Sequence, residues 1–297
     1  MDTNEALFIR IVEAGSLKAA AEQLGTDPSN VSRRIAALEH RLQVRLLQRS
    51  TRRSSPTEAG SIYYEGLRRL LDEQQALESK LRGARDTPSG LLKVAAPHDF
   101  GSHFIAPVLQ EMVRTAPDLQ VELILGSQFE DLRAQGIDVA VRIGQLPDSS
   151  LICRRLGNVP RVIVASPDYL ARKGVPSKPA DLRQHDFIFY TRMQQQRQLR
   201  FGTGKQAQQL NVRGKLIINS VSAIRKLVEA GEGMHLGPVW AFREGLESGQ
   251  LVSVLPDYPQ QSFPLHALYL STAYVPAKIR QFIDRLAKRC QDNDFLA

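Results

Sequence analysis

The sequence predicts an α/β protein overall: an N-terminal all-α winged helix-turn-helix, then one long helix, then a larger C-terminal α/β part. Three observations carry this. Residues 15–42 read as two short helices joined by a tight connection. Residues 57–85 run without proline and place apolar residues at heptad spacing. From residue 91 onward, strand-like apolar runs alternate with amphipathic helical runs, the pattern of a twisted, largely parallel sheet covered by helices. A chain of 297 residues is long for one core, so two or three domains are expected.

Residues 7–14 form an amphipathic first helix. Next, Leu17, Ala20, Ala21 and Leu24 recur at helical spacing and give the second helix one apolar face. Gly25 and Thr26 interrupt it. Asp27 then suits an N-cap, and Pro28 suits the first helical position, where no N–H is needed. The third helix carries Val31, Ile35, Leu38 and Leu42 on one stripe. Ser29, Asn30, Ser32, Arg33 and Arg34 face away from it, near the N-terminal end. In a helix-turn-helix one helix braces and the next offers such side chains to a DNA groove. Arginine forks onto guanine edges or phosphates, asparagine pairs with adenine, and serine serves base or backbone. An ordinary helical hairpin with a wet polar face shows the same pattern.

The flanks separate the two readings. Val44, Leu46 and Leu47 lead into an Arg/Ser-rich loop holding Arg49, Arg52 and Arg53, and Pro56-Thr57-Glu58 then starts a new helix, the layout of a β-wing. Residues 31–53 hold seven arginines against a single acid, Glu39. Such a cluster beside a helix-turn-helix favours phosphate contact. Global charge does not single out this end: residues 1–86 hold 14 basic and 12 acidic side chains, and the remainder 25 and 19, within a net charge of +8.

In the long helix, Tyr63, Leu67, Leu70, Gln74, Leu77 and Leu81 are spaced alternately four and three residues apart, a heptad seam. The seam suits pairing with a second copy of the chain, with Gln74 setting register; packing on its own domain is the competing reading. Residues 83–90 (GARDTPSG) make a hinge by composition. Beyond it the pattern predicts strands over 91–97, 119–125, 137–142, 161–165, 187–191, 212–218, 251–254 and 265–270. Helices are predicted over 102–114, 128–135, 167–173, 221–230 and 276–289. Residues 176–182 read as a loop and turn, and 194–198 as a solvated loop. Met234, His235 and Pro238 read as packing residues in a Gly-rich turn.

Other classes lack support in the sequence. No apolar run approaches the roughly 20 residues of a membrane span, and the acidic start has no signal-peptide layout. Cys153 and Cys290 match no metal spacing and fit a reducing cytoplasm, with plain thiols favoured over a redox role. His98 and His103 are five apart with no third ligand in view. No nucleophile elbow, phosphate loop, dinucleotide fingerprint or metal pair is found, so no catalytic residue, metal or cofactor is expected. A small-molecule enzyme and a non-specific DNA-associated protein are the alternatives.

The head resembles the LysR-type transcriptional regulators. The matching residues are Phe8, Glu13, Gly15-Ser16, Ala19-Ala20, Leu24, Val31-Ser32-Arg33, Ile35, Leu38-Glu39, Leu42, Leu46, Arg49 and Thr57-Glu58-Ala59-Gly60, ungapped over about sixty residues. The resemblance implies a DNA-binding domain over 1–58, a linker and dimerisation helix over 59–86, and an effector-binding domain over 87–297. That domain would be similar in fold to periplasmic binding proteins, with subdomain I at about 91–162 and 267–297 and subdomain II at about 163–266. It further implies sequence-specific binding to promoter double-stranded DNA, modulated by a small-molecule effector. A homodimer or homotetramer and contact with RNA polymerase are implied as well.

The family's effector contacts fall in loops matching residues 97–103, 126–128 and 219–222, with Arg142 nearby. Phe100, Ser102, Gln128, Arg142 and Ser222 are carried over on that basis. A helix cap for Ser102 and an ion pair at the sheet edge for Arg142 are the competing readings. His98 and Asp99 depart from the small polar residues common there. They point either to a cationic or hydroxylated effector or to a local pair that shapes the loop. Pro28 and Ser29 stand where many members carry Gln-Pro, so the target sequence cannot be inherited. Gln43 replaces a common glycine, a change that bears on the turn before the wing.

Overall fold

A computed structural model of the chain describes residues 3–49, 54–81, 87–126, 132, 136–146, 151–190, 198–202, 208–270 and 275–291. The chain divides into two compact units: residues 1–90 with 131–137 and 272–278, and the remainder.

In the first unit each helix starts on a side-chain cap. Thr3 opens α1 (Asn4–Ala14) and Ser16 opens α2 (Leu17–Gln23), each accepting an amide hydrogen bond from three residues on. Asp27 opens α3 (Pro28–Leu42) by accepting from the Ser29 amide at 2.7 Å. Hydrogen bonds from Ser29 hold the Asp27 carboxyl below its ordinary range. Leu7, Phe8 and Ile11 of α1 pack with Ala20 and Ala21 of α2 and with Val31, Ile35 and Leu38 of α3. Each large side chain buried here contributes about 1.5–3 kcal/mol.

The wing is a short antiparallel pair, β1 (Leu47–Arg49) and β2 (Ser54–Pro56). Glu39 fastens it to α3, because its Oε1 accepts from the Leu46 and Leu47 amides at 2.8 and 3.1 Å. Thr57 then caps α4 (Glu58–Leu81), its Oγ1 accepting from the Gly60 amide at 2.9 Å. The entry is tight: a Cβ on Gly60 would lie 2.0 Å from the Leu46 carbonyl oxygen. Gln43, which replaces the family's common glycine, has φ +54° and donates from Nε2 to the His40 carbonyl at 2.7 Å.

The second unit opens with β3 (Gly90–Ala96). A continuous helical run follows: α5 (His98–Phe100), a π-helical turn Gly101–Ile105, and α6 (Ala106–Thr115). With β4 (Leu119–Leu125), β5 (Val139–Ile143), β6 (Ile152–Val159) and β14 (Phe263–Tyr269) this gives one lobe, with strand order β4-β3-β5-β14-β6. Here the structure corrects the sequence reading. The sheet is mixed: β3 and β5 are parallel, but β14 runs antiparallel to both β5 and β6. Apolar runs mark a strand without marking its direction. Strand β6 was missed because its exposed arginines leave just Leu156 and Val159 buried, and no apolar run results. Strand β14 begins at Phe263, two residues ahead of the expected strand start at 265.

The other lobe is built on β7 (Arg161–Ala165), flanked antiparallel by β12 (His235–Pro238) and β13 (Val252–Ser253). Around it lie α7 (Pro167–Lys173), a 3-10 turn Pro179–Gln184, and β8 (Asp186–Tyr190), which is parallel to β11 (Arg213–Ile218). Strands β9 (Gln198–Phe201) and β10 (Gln208–Asn211) pair antiparallel. Helices α8 (Val221–Glu229) and α9 (Val239–Ser248) complete it, and α10 (Ala277–Gln291) is the last described element. The expected Gly-rich turn at 234–238 is in fact β12 running into α9. No side chain caps α9, so its start carries no polar signal. The expected helix at 128–135 falls outside the described residues except for Leu132, as do residues 194–197 of the expected loop. Glu111 of α6 holds α10 through Arg285 and Arg289, at 2.8 and 2.9 Å. Burial pushes the Cys290 thiol up to about 12, while Cys153 is exposed. Among the described residues no helix is long and apolar enough to cross a membrane.

Two glycine exchanges test the head. Gly60→Ala, which drives a methyl into the Leu46 carbonyl, is expected to cost about 2 kcal/mol or more. Gln43→Gly, which relieves a left-handed backbone, is expected to gain up to about 1 kcal/mol. Urea denaturation followed by circular dichroism measures both.

Candidate functional site

Burying Val31, Ile35 and Leu38 turns the opposite face of α3 outward, because helix residues advance about 100° each. Ser29, Asn30 and Arg33 are exposed on that face. So are Ala36, Ala37 and His40, which sequence reasoning did not single out. The two alanines keep the middle of the face low enough for another surface to approach. Ser32 and Arg34 are half-buried. Arg34 Nε donates to Asn4 Oδ1 at 2.9 Å and so ties α3 to the start of α1. Arg49 lies on β1, but its side chain, like all of Arg52 and Arg53, falls outside the described residues.

The α4 seam divides. Tyr63 and Leu67 pack against their own unit's core, with the Tyr63 ring 5.8 Å from that of Phe8. Leu70 is 63% exposed and Gln74 is exposed, as are Ile62 at 69% and Leu71 at 41%. The side chains of Leu77 and Leu81 lie outside the described residues.

In the second unit, the two lobes face each other where α5 meets the N-terminus of α8. Asp99 decides the chemistry there. Its Oδ2 accepts from the Val221 amide at 2.7 Å and its Oδ1 from the Ser222 amide at 3.1 Å. A helix N-terminus attracts anions through its free N–H groups and its dipole. Here the chain supplies that anion itself. Neither sequence reading of Asp99 included this, since its partner lies 122 residues away.

Beside Asp99 lies a cavity of about 260 Å³. Phe100, Val159, Leu236, Trp240 and Phe263 give it apolar walls, and Arg161, Tyr190, His235 and Gln145 add polar groups. The Arg161 guanidinium sits 3.8 Å over the Phe263 ring, and its Nε donates to the Gln261 carbonyl at 2.7 Å. Burial lowers its pKa to about 10. His235 is fully buried, and loss of hydration pushes it down to about 4. The ring is therefore neutral at pH 7. Its Nδ1 lies 2.7 Å from the Ile188 carbonyl, which only accepts, so Nδ1 carries the proton and Nε2 a lone pair. The Trp240 Nε1 donor is buried with no acceptor among the described residues. Burial also raises the Tyr190 hydroxyl.

The residues expected to contact an effector distribute unevenly. Phe100 is buried and lines the cavity. Ser102 and Ser222 line a neighbouring open pocket instead. The Ser102 hydroxyl donates back to the His98 carbonyl at 2.8 Å, and the Ser222 hydroxyl lies 2.9 Å from that of Ser220. Arg142 is half-buried on β5, its pKa lowered by burial, and lines neither pocket. Gln128 is outside the described residues. Arg161, Tyr190, His235, Trp240 and Phe263 were missed. The one available signal was Arg161 itself, a cation at the head of the apolar strand RVIVA.

Comparison with known proteins assigns the two units. Residues 5–61 match the family described as bacterial regulatory helix-turn-helix protein, lysR family, and residues 85–291 match the LysR substrate binding domain. The chain belongs to the LysR family. It is 37% identical over 283 residues to the HTH-type transcriptional activator AaeR of Escherichia coli (strain K12), covering 95% of this chain and 91% of that protein. It is 35% identical over 279 residues to the HTH-type transcriptional regulator PtxR of Pseudomonas aeruginosa, covering 94% and 89%. Among solved structures, CrgA of Neisseria meningitidis, a LysR-type transcriptional regulator, superposes with a TM-score of 0.62 at 28% identity, covering 98% of this chain and 100% of CrgA. The Vibrio cholerae virulence activator AphB superposes with a TM-score of 0.59 at 29% identity, covering 96% and 98%. The molecule is thus a LysR-type DNA-binding transcriptional regulator with an effector-binding domain.

The buried His235 is expected to make this regulator's stability fall in acid. The unfolded ring takes up a proton below about 6.5, while the folded ring resists until about 4. Its contribution to stability is therefore complete above pH 6.5 and lost as pH falls toward 4, by up to roughly 3 kcal/mol. His235→Asn keeps an N–H toward Ile188 and does not titrate. Melting temperatures of the variant measured from pH 7.5 to 4.5 are expected to show a flatter decline than the parent's.

Proposed function

We propose that α3 enters the major groove of promoter DNA, with Ser29, Asn30 and Arg33 toward the base edges. The outward face of α3 is the observation that carries this reading. Ser32 and Arg34 flank it, and Arg34 acts through Asn4 by holding α3 against α1. Arg49, Arg52 and Arg53 of the wing segment are assigned to phosphates on the charge of the sequence. Residues 1–58 serve as the DNA-binding domain, 59–86 as linker and 87–297 as the effector-binding domain.

Two copies are needed for two half-sites on neighbouring turns. The exposed Ile62, Leu70, Leu71 and Gln74 on α4, with Leu77 and Leu81 of the expected seam, support a homodimer or a homotetramer formed by pairing of dimers, whereas Tyr63 and Leu67 are taken up by their own unit's core. The effector enters the cleft of the second unit, with Phe100 as the residue retained from the sequence reading. Its binding changes how the two heads sit on DNA, and with it DNA bending or contact with RNA polymerase. The coupling is reciprocal, so DNA occupancy alters effector affinity in turn. The chain acts in the cytoplasm and catalyses no reaction in this scheme.

Titration of the protein's own promoter fragment at several salt concentrations tests the DNA assignment. Affinity is expected to fall steeply with salt. Arg33→Ala is expected to cost about 1–3 kcal/mol if Arg33 reads a base, or to reduce the salt slope by about 1 if it holds a phosphate. Binding indifferent to salt, to sequence and to Arg33 would contradict the reading.

A further inference from the structure

We propose that the effector is a compact monoanion, a carboxylate on an apolar body, and that its charge is held by Arg161 instead of by the N-terminus of α8. This rests on the cleft being the effector site and goes further by naming the ligand's class and the residue that selects it.

The first argument is exclusion. The free amides at the start of α8 would attract an anion, and Asp99 covers them. A second carboxylate placed there would meet Asp99 at close range, where like charges repel strongly. An incoming anion must therefore lodge elsewhere.

The second argument is the state of Arg161. Among the described residues its contacts are the Nε hydrogen bond to the Gln261 carbonyl and the Phe263 ring beneath it, with no carboxylate at ion-pair distance. Nη1 and Nη2 form the fork that matches a carboxylate with two parallel hydrogen bonds. Arg161 is half-buried, and a partly desolvated cation without a counter-charge is stabilised by a bound anion.

The third argument is the shape and polarity of the rest. At about 260 Å³, and with a water occupying roughly 30 Å³, the cavity holds a body of about nine non-hydrogen atoms. Phe100, Trp240 and Phe263 offer that body ring faces and edges. The buried Trp240 Nε1 adds a donor in want of an acceptor. His235, neutral and with its one N–H spent on Ile188, gives no second positive charge. One guanidinium beside one resident carboxylate suits a single negative charge and opposes a dianion.

The test uses the full chain and four probes of like size: benzoate, cyclohexanecarboxylate, the neutral benzamide and the cationic benzylamine. Binding is read by calorimetry and by the rise in melting temperature. Both carboxylates are expected to bind at least about tenfold tighter than the amide or the amine. In Arg161→Gln the preference of benzoate over benzamide is expected to vanish. Arg161→Lys, which keeps the charge but loses the fork, is expected to retain the preference with weaker binding. The cooperative melting transition of each variant serves as its folding control. Amide or amine binding as well as benzoate, or Arg161→Gln keeping the preference, would overturn the proposal. If neutral or cationic probes bind in place of the carboxylates, the anion assignment falls and the cleft remains the effector site. If a library covering all three charge classes yields no binder, both fall.

Discussion

The Asp99 carboxylate reaches from the first lobe of the effector-binding domain to the first two amides of α8 in the second. Those amides have no partner within their own helix, and a helix end facing a cleft requires one. A solvent-supplied or ligand-supplied anion would leave the lobes free to separate. An anion built into α5 ties them at that point. The same contact reverses the usual polarity of the site, because the dipole of α8 is answered before any ligand arrives. What remains exposed to a ligand is Arg161, held over Phe263 at the start of β7.

The DNA-binding head depends on a comparable economy of contacts. A single helix, α3, serves core, wing and outward face together. Asp27 fixes where it starts, Val31, Ile35 and Leu38 fix its rotation, and Glu39 carries the wing on the next turn. The fit is close enough that Gly60 touches the Leu46 carbonyl across the entry to α4. Arg34 shows that a cation beside the outward face of α3 can be structural, since it holds α1 and α3 together.

Much of the head was legible in the sequence because its signals are local. Asp27-Pro28 announces a helix start, and the spacing of Val31, Ile35 and Leu38 announces which face is buried. Strand–helix alternation likewise disclosed the α/β character of the second unit. What stayed hidden depended on distant partners. The direction of β14 is set by the path of the chain through the other lobe, not by its own residues. Strand β6 bridges with charged side chains turned outward, and α9 begins without a cap. The site residues were harder still. Asp99 gains its role from α8 more than a hundred residues later, and His235 looked like a turn residue because Gly233 precedes its strand and Gly237 lies within it.

The central claim is that Asp99, not a ligand, covers the start of α8. Amide hydrogen exchange at Val221 and Ser222 tests it most directly, measured in the protein without ligand and again with the cleft saturated. The account predicts slow exchange at both amides in both states. Fast exchange without ligand that becomes slow only when ligand is added would contradict it.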